Sequence, residues 1–335
     1  MFRGQRRGTR PRRAGGTRRL SVATVGLLCA AAFVVVGAPS AVAKKVPPGA
    51  RHERAFTTPA ENSTVHAYCQ PRQNHACPST NPVWGGYVVS PESGHQMTTV
   101  SASWVQTQVT CPNPTAWTLF WTGIDGWSQI GNATVEQGGS SAQCLGGNAS
   151  VDYEAWWEMY PTNDVETVFP IAVGNHLSAS VVFSSADDTY TVSVTDSTSH
   201  DSFVVVCSVP DNTYTITVDM NGVMTGPTTT SFAATTPSAV LCAPGSPCQN
   251  SSAEWIVEAP GGDGGGLYPL ARFKPVVFKS ASAADSAGNQ GSITTAGWLY
   301  SAIDLSTESG VDEADVMPLR DRGHVFRVVW NRSQL

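Results

Sequence analysis

Four short blocks of this 335-residue chain bring together side chains able to do chemistry on a polymer. The first is Trp84-Gly85-Gly86-Tyr87. The second is Trp121-Thr122-Gly123-Ile124-Asp125-Gly126, followed eleven residues later by Gln137-Gly138-Gly139. The third runs Tyr153-Glu154-Ala155-Trp156-Trp157-Glu158-Met159-Tyr160-Pro161, and the fourth Ala253-Glu254-Trp255-Ile256-Val257-Glu258. Alternate residues of a strand share a face, so Trp156, Glu158 and Tyr160 project together, as do Glu254, Ile256 and Glu258. Carboxylates among aromatics are costly in a core and suited to a groove that grips an extended polymer. The plain alternative is solvated glutamates beside packing tryptophans, and with ten tryptophans packing is the default for any single one.

The elements that must position these blocks are strands. From about Val83 to Trp330, short runs rich in Val, Thr, Ser, Tyr and Phe alternate polar and apolar, as in Thr189–Thr195 and Thr213–Val218. Gly, Pro, Asn and Asp punctuate them, and no long run has helical period. Roughly 250 residues of this texture predict one large antiparallel two-sheet β-sandwich, concanavalin- or jelly-roll-like, with a substantial core. Gly261–Gly266 reads as a flexible loop flanking the site, with no strand–helix unit to make it a nucleotide loop.

The N-terminus bears on compartment. Eight arginines between Arg3 and Arg19 precede an apolar stretch from Leu20 to Val36 and a small-x-small site at Ala41-Val42-Ala43. This is the order of a cleaved signal peptide over residues 1–43, too short for a stable span. The pair Arg18-Arg19 fits a twin-arginine signal only weakly. Residues 44–80 are basic, His-bearing and without apolar periodicity: a removable pro-segment or a flexible lead. The sandwich domain is expected over 81–335. From Lys44 onward 12 of the 20 basic and all 26 acidic residues remain, 12 − 26 = −14. Such a surface repels nucleic acid and anionic lipid, so neither partner nor stable membrane association after signal cleavage is expected. With Cys29 removed, seven cysteines face an oxidising compartment. Cys69 with Cys77, Cys111 with Cys144, and Cys242 with Cys248 could each close a loop, leaving Cys207 as a free buried thiol. No zinc-type spacing, His-Glu-x-x-His or Gly-x-Ser-x-Gly occurs, so no metal or cofactor is expected and serine and metal routes are weak. Nothing calls for a second subunit, and a monomer is expected.

The blocks together resemble the glutamic peptidases, the eqolisin family of pepstatin-insensitive acid peptidases. The resemblance rests on Gly-Ile-Asp-Gly, Gln-x-Gly, Tyr-x-Ala-Trp-x-Glu-x-Tyr-Pro and Ala-Glu-Trp-Ile-x-Glu in family order, from about Trp84 to the C-terminus. It implies a two-sheet sandwich with the active site on a concave face and Gln137 and Glu258 as the catalytic pair; spacing alone does not choose Glu258 over Glu254. It also implies Trp84, Trp121, Asp125, Trp156, Glu158 and Tyr160 as cleft residues, with Asp125 supporting rather than reacting, and protein or peptide substrates. Ionised Glu258 would activate water, Gln137 would hydrogen-bond the oxyanion, and an ordinary glutamate pKa would suit acid operation. The family usually has Thr where Gly138 stands and Asp where Ser141 stands, so either Gln137 is held less firmly or another carboxylate, such as Glu136, substitutes. The rival readings are a polysaccharide-binding or glycoside-hydrolysing sandwich using Glu158 with Glu258, and an inactive family member.

Overall fold

The computed structural model describes residues 79–332 apart from 93, 112, 128–133, 147–149, 233–248 and 262–265. The expected signal peptide, most of the lead, Cys69, Cys77, Cys242, Cys248 and the middle of the Gly261–Gly266 loop lie outside the described residues.

Strands dominate. In order they are β1 (Ser79–Asn81), β2 (Trp84–Pro91), β3 (Met97–Val105), β4 (Val109–Thr110), β5 (Trp117–Ile124), β6 (Val135–Leu145) and β7 (Ser150–Tyr160). The middle supplies β8 (Glu166–Pro170), β9 (His176–Ser184), β10 (Thr189–Asp196), β11 (Asp201–Ser208), β12 (Thr213–Met220) and β13 (Val223–Ser231). The last part adds β14 (Ala253–Glu258), β15 (Arg272–Phe273), β16 (Val276–Asp285), β17 (Gln290–Gly291), β18 (Trp298–Ser306), β19 (Asp312–Val316) and β20 (Phe326–Trp330). Among the described residues helix is limited to short 3-10 turns such as Asp321–Gly323.

Two sheets form the expected sandwich. The first runs β1-β18-β2-β14-β5-β6-β7-β8, antiparallel except for β1 with β18. The second runs β16-β3-β9-β10-β11-β12-β13, antiparallel throughout. Strand β16 serves both: Val276–Phe278 pairs with β20, and from Lys279 onward it pairs with β3. Its register shifts between Lys279 and Ser282, where Ser280 takes φ 53°, so a bulge bends the strand from one sheet to the other.

Period-2 alternation explains why these segments pack. Tyr190, Val192 and Val194 of β10 and Phe203, Val205 and Cys207 of β11 point inward, against Phe120, Trp157, Met159, Trp255 and Val257 of the first sheet. The opposite face of that first sheet carries a second apolar cluster of Trp84, Trp117, Leu119, Trp121, Val135, Trp156 and Ile256. A sheet with apolar clusters on both faces is what near-continuous runs such as Trp117–Ile124, buried at every position, require.

Cys111 and Cys144 are disulfide-bonded across a separation of 33 residues, and Cys207 is a free, buried thiol. The bridge pins the entrance of β5 to the end of β6. Cys144→Ser should lower stability by roughly 4 kcal/mol on the closed-loop entropy argument. A denaturant titration of the variant, compared with wild type under oxidising conditions, measures this.

Candidate active site

Strand register brings the distant blocks into adjoining rows. Gln137 of β6 lies opposite Gly123 of β5 and Glu158 of β7, and Gly123 lies opposite Glu254 of β14. The next row holds Ile256, Trp121, Gly139 and Trp156. The row after that holds Glu258, Leu119, Ser141 and Glu154. Alternation puts these residues on the outer face of the first sheet, with Trp84 and Tyr160 in the same cluster. Gly123 is bare for a reason: a Cβ there would meet Trp121 Cζ3 at 2.9 Å and Gln137 Cβ at 3.1 Å.

Hydrogen bonds tie the centre together. The indole Nε1–H of Trp121 donates to Glu258 Oε2 at 2.6 Å, and Trp84 packs edge-on against Trp121 with centroids 5.2 Å apart. The Gln137 amide Nε2 donates to Glu158 Oε2 at 2.7 Å. Glu158 in turn feels the Glu258 carboxyl electrostatically. Asp125 sits just past the end of β5 at φ 71°. Its carboxylate accepts the backbone N–H groups of Asn250 at 2.8 Å and Ser251 at 2.6 Å, and the Ser251 hydroxyl at 3.1 Å. It anchors the approach to β14.

Burial sets the electrostatics. Gln137, Glu158 and Glu258 are each 1% exposed, and among the described residues no Lys, Arg or His is buried. Burial pushes Glu258 up to about 8, with the Trp121 bond opposing the rise. An ordinary glutamate pKa, expected from sequence, does not hold in this closed site. Glu158 is raised by burial first, then by Glu258 and Asp164, with Gln137 opposing. Glu254 and Glu136 are raised mainly by burial as well. Neither Glu254 oxygen makes a hydrogen bond of ordinary geometry; the nearby Ser252 hydroxyl only moderates the burial effect.

Two details correct the sequence reading. Glu136 cannot steady Gln137 in the cleft, because it lies on the inward side of β6, close to Tyr190 and Cys207 of the second sheet. Gly138 is also inward: a Cβ there would meet Val192 Cγ1 at 2.6 Å, so the second sheet already fills that space. Ser141 does face the cleft side, paired with Leu119 and Glu154. Sequence reasoning missed Trp127, Leu267 and Tyr268, which are half-buried against the same cluster. No spacing rule marks them, since each lies outside the strands. Among the described residues no group of three or more His, Cys, Asp or Glu is placed to hold a metal ion, and no helix is long and apolar enough to cross a membrane.

The sequence profile of the Peptidase A4 family matches residues 82–317, most of the chain and all four blocks. The chain belongs to the Peptidase A4 family. It is a glutamic-type peptidase, which sets aside the glycosidase reading of Glu158 with Glu258. Its fold is similar to scytalido-glutamic peptidase crystallised with a peptide-based transition state analog, at TM-score 0.51 and 19% identity over 75% of this chain and 99% of that one. A second structure of that enzyme, with a transition state analog inhibitor, gives TM-score 0.50 at 19% identity over 75% and 99%. SCP-B, an eqolisin family member in complex with the tripeptide Ala-Ile-His, gives 0.49 at 19% identity over the same shares. No curated protein sequence matches the chain.

Two outcomes follow for stability. Glu258 binds its proton up to about 8 when folded but only to about 4.5 when unfolded, so folding is favoured in acid and loses ground as pH rises between those values. The loss by pH 7 is roughly 3 kcal/mol from this group alone, at 1.36 kcal/mol per unit. The melting temperature should therefore be highest near pH 4 and fall towards neutrality, and Glu258→Gln should flatten the slope. Gly138→Thr should destabilise by about 1–3 kcal/mol through overpacking, and adding Val192→Ala should recover part of the loss in a double-mutant cycle.

Proposed function

We propose that this peptidase is an exported, acid-working endopeptidase in which Glu258 activates water and Gln137 stabilises the tetrahedral intermediate. The observation that carries it is the shared face of the first sheet. Gln137 and Glu258 arise from blocks more than a hundred residues apart, yet Glu158 hydrogen-bonds Gln137 and feels the charge of Glu258.

The chemistry follows from donor and acceptor inventory. A Gln side-chain amide has two N–H donors at any pH. One is engaged by Glu158, and the other is available to a developing oxyanion. In the closed site Glu258 is protonated. Admitting water and a peptide restores hydration around its carboxyl and lowers its pKa, and the Trp121 indole favours the ionised form. Ionised Glu258 then takes a proton from the water as it adds to the scissile carbonyl, and returns it to the departing nitrogen. Attack by water needs no acyl-enzyme, in keeping with a site built from a carboxyl and an amide. Glu158 positions the Gln137 amide, while Trp84, Trp121 and Trp156 hold the apolar surround.

Export by residues 1–43 belongs to the same reading, supported by the order of basic, apolar and small-residue segments there; latency through 44–80 belongs to it on the basic, His-bearing composition of that segment beside an acidic domain.

Casein digestion at about pH 3 to 4, chosen around the glutamate pKa, tests the mechanism. Gln137→Ala should lose about 100–1,000-fold in kcat, and Glu258→Ala at least as much, with folding and melting profiles in acid retained. Pepstatin and a chelator should leave wild type unaffected. Activity surviving in either variant removes that residue from the mechanism.

A further inference from the structure

The outer face of the second sheet, turned away from Gln137 and Glu258, carries a pocket that the reaction does not use. It is a cavity of about 230 Å³ whose polar lining is Ser103, His176, Ser178, Ser197 and Lys279, and no Asp or Glu lines it. The pocket exists because β16 leaves the second sheet here. Lys279 is opposite Ser103, while Val276–Phe278 before it pair with β20, so β3 beyond Ser103 has no β16 partner.

Strand register sets the polar groups in two rows. Lys279 of β16, Ser103 of β3 and Ser178 of β9 are successive neighbours across the sheet and share its outer face. His176, two residues before Ser178, begins the next row, about 6.8 Å along the strand. Ser197 closes that row, its N–H donating to His176 O at 2.9 Å. The Ser103 and Ser197 hydroxyls donate to the carbonyls of Lys279 and His176 at 3.4 and 3.2 Å. These bonds are long, and a charged acceptor forms shorter and stronger ones.

Charge singles the pocket out. Between Val83 and Tyr300 the chain has three Lys or Arg residues, namely Arg272, Lys274 and Lys279. Arg272 lies over the Trp330 ring at 5.2 Å. Lys279 instead stands exposed in the same pocket as an exposed His176. Asp196, opposite Leu177, is buried on the inward side of β10, and its Oδ1 accepts the N–H groups of Thr198 and Ser199 at 2.8 and 3.4 Å.

We infer that this pocket binds a tetrahedral oxyanion, a phosphate or sulfate group, on the side of the sandwich opposite the reaction. An ammonium, an imidazole and three hydroxyls set in two rows suit an acceptor whose oxygens point in several directions. In acid an imidazole is cationic and carboxylates lose charge, whereas phosphate and sulfate keep at least one negative charge. The remaining acidic surface repels an extended polyanion, so the ligand is a single group, free or esterified. Val105, 37% exposed at the pocket, offers an apolar contact to the organic part of an ester. The inference rests on the acid working range proposed above and not on the assignment of Gln137 and Glu258.

Isothermal titration at about pH 4, where imidazole is cationic, tests it with inorganic phosphate, inorganic sulfate and phenyl phosphate. The proteins are wild type, Lys279→Gln, His176→Gln, Lys274→Gln and Gln137→Ala. Wild type should bind phosphate at one site with a Kd of about 1 mM. Lys279→Gln and His176→Gln should each weaken binding about tenfold. Lys274→Gln, which removes the same charge outside the pocket, and Gln137→Ala should bind as wild type does. Tighter binding of phenyl phosphate than of phosphate assigns an esterified group, and the reverse order assigns a free ion. Saturating phosphate should leave kcat/KM for a peptide unchanged. The inference is overturned if neither phosphate nor sulfate binds, if Lys274→Gln weakens binding as much as Lys279→Gln does, or if phosphate competes with the peptide. Full activity in Gln137→Ala would instead overturn the placement of the reaction and leave the anion site standing.

Discussion

Carboxyl groups standing inside an apolar wall, with no buried cation beside them among the described residues, are the constraint around which this molecule is organised. A charge in that setting is expensive, so each carboxyl is driven towards its neutral form. The partners it does have are neutral donors: an indole N–H for Glu258 and a side-chain amide for Glu158. Placing an amide rather than a second ionisable group at position 137 gives the site a donor whose state does not change with pH. The same arrangement links stability to acid, because protonated carboxyls are the form the interior tolerates.

The sandwich supplies the rigidity this requires. Strand β6 divides its labour between two faces. Gln137 points to the site, while Glu136 and Gly138 point between the sheets, where Tyr190, Val192 and Cys207 receive them. Fixing the inner face against the second sheet fixes the register of the outer one, since a slip of a single residue would exchange the two faces. Strand β14 is held in the same way, with Trp255 and Val257 inside and Ile256 and Glu258 outside. Asp125 anchors the segment leading into it through two backbone amides. The residues that hold the site are therefore largely residues that never touch it.

Much of this was legible in the chain. Alternating Val, Thr, Ser and aromatic runs predict an all-β sandwich, and Thr189–Thr195 and Thr213–Val218 fall within β10 and β12. The four blocks mark the strands that carry the polar residues, and strand alternation correctly groups Trp156 with Glu158 and Glu254 with Glu258. Applied one step further, the same alternation sets Glu136 opposite to Gln137. The role offered to Glu136 failed because residue type was weighed above strand parity.

What the sequence by itself determined is local: which segments are strands, which residues share a face, and which side chains have donors or acceptors to offer. These follow from backbone geometry and from the atoms of each residue, both of which are present before the chain folds. Tertiary structure alone decided solvent access and neighbourhood. It buried Glu258 and raised it to about 8, filled the space beside Gly138 with Val192, and gathered Trp127 and Tyr268 at either end of β5. Pairing across sheets depends on strands distant in sequence, and dielectric environment depends on everything packed around a group, so neither is written in any one stretch of residues.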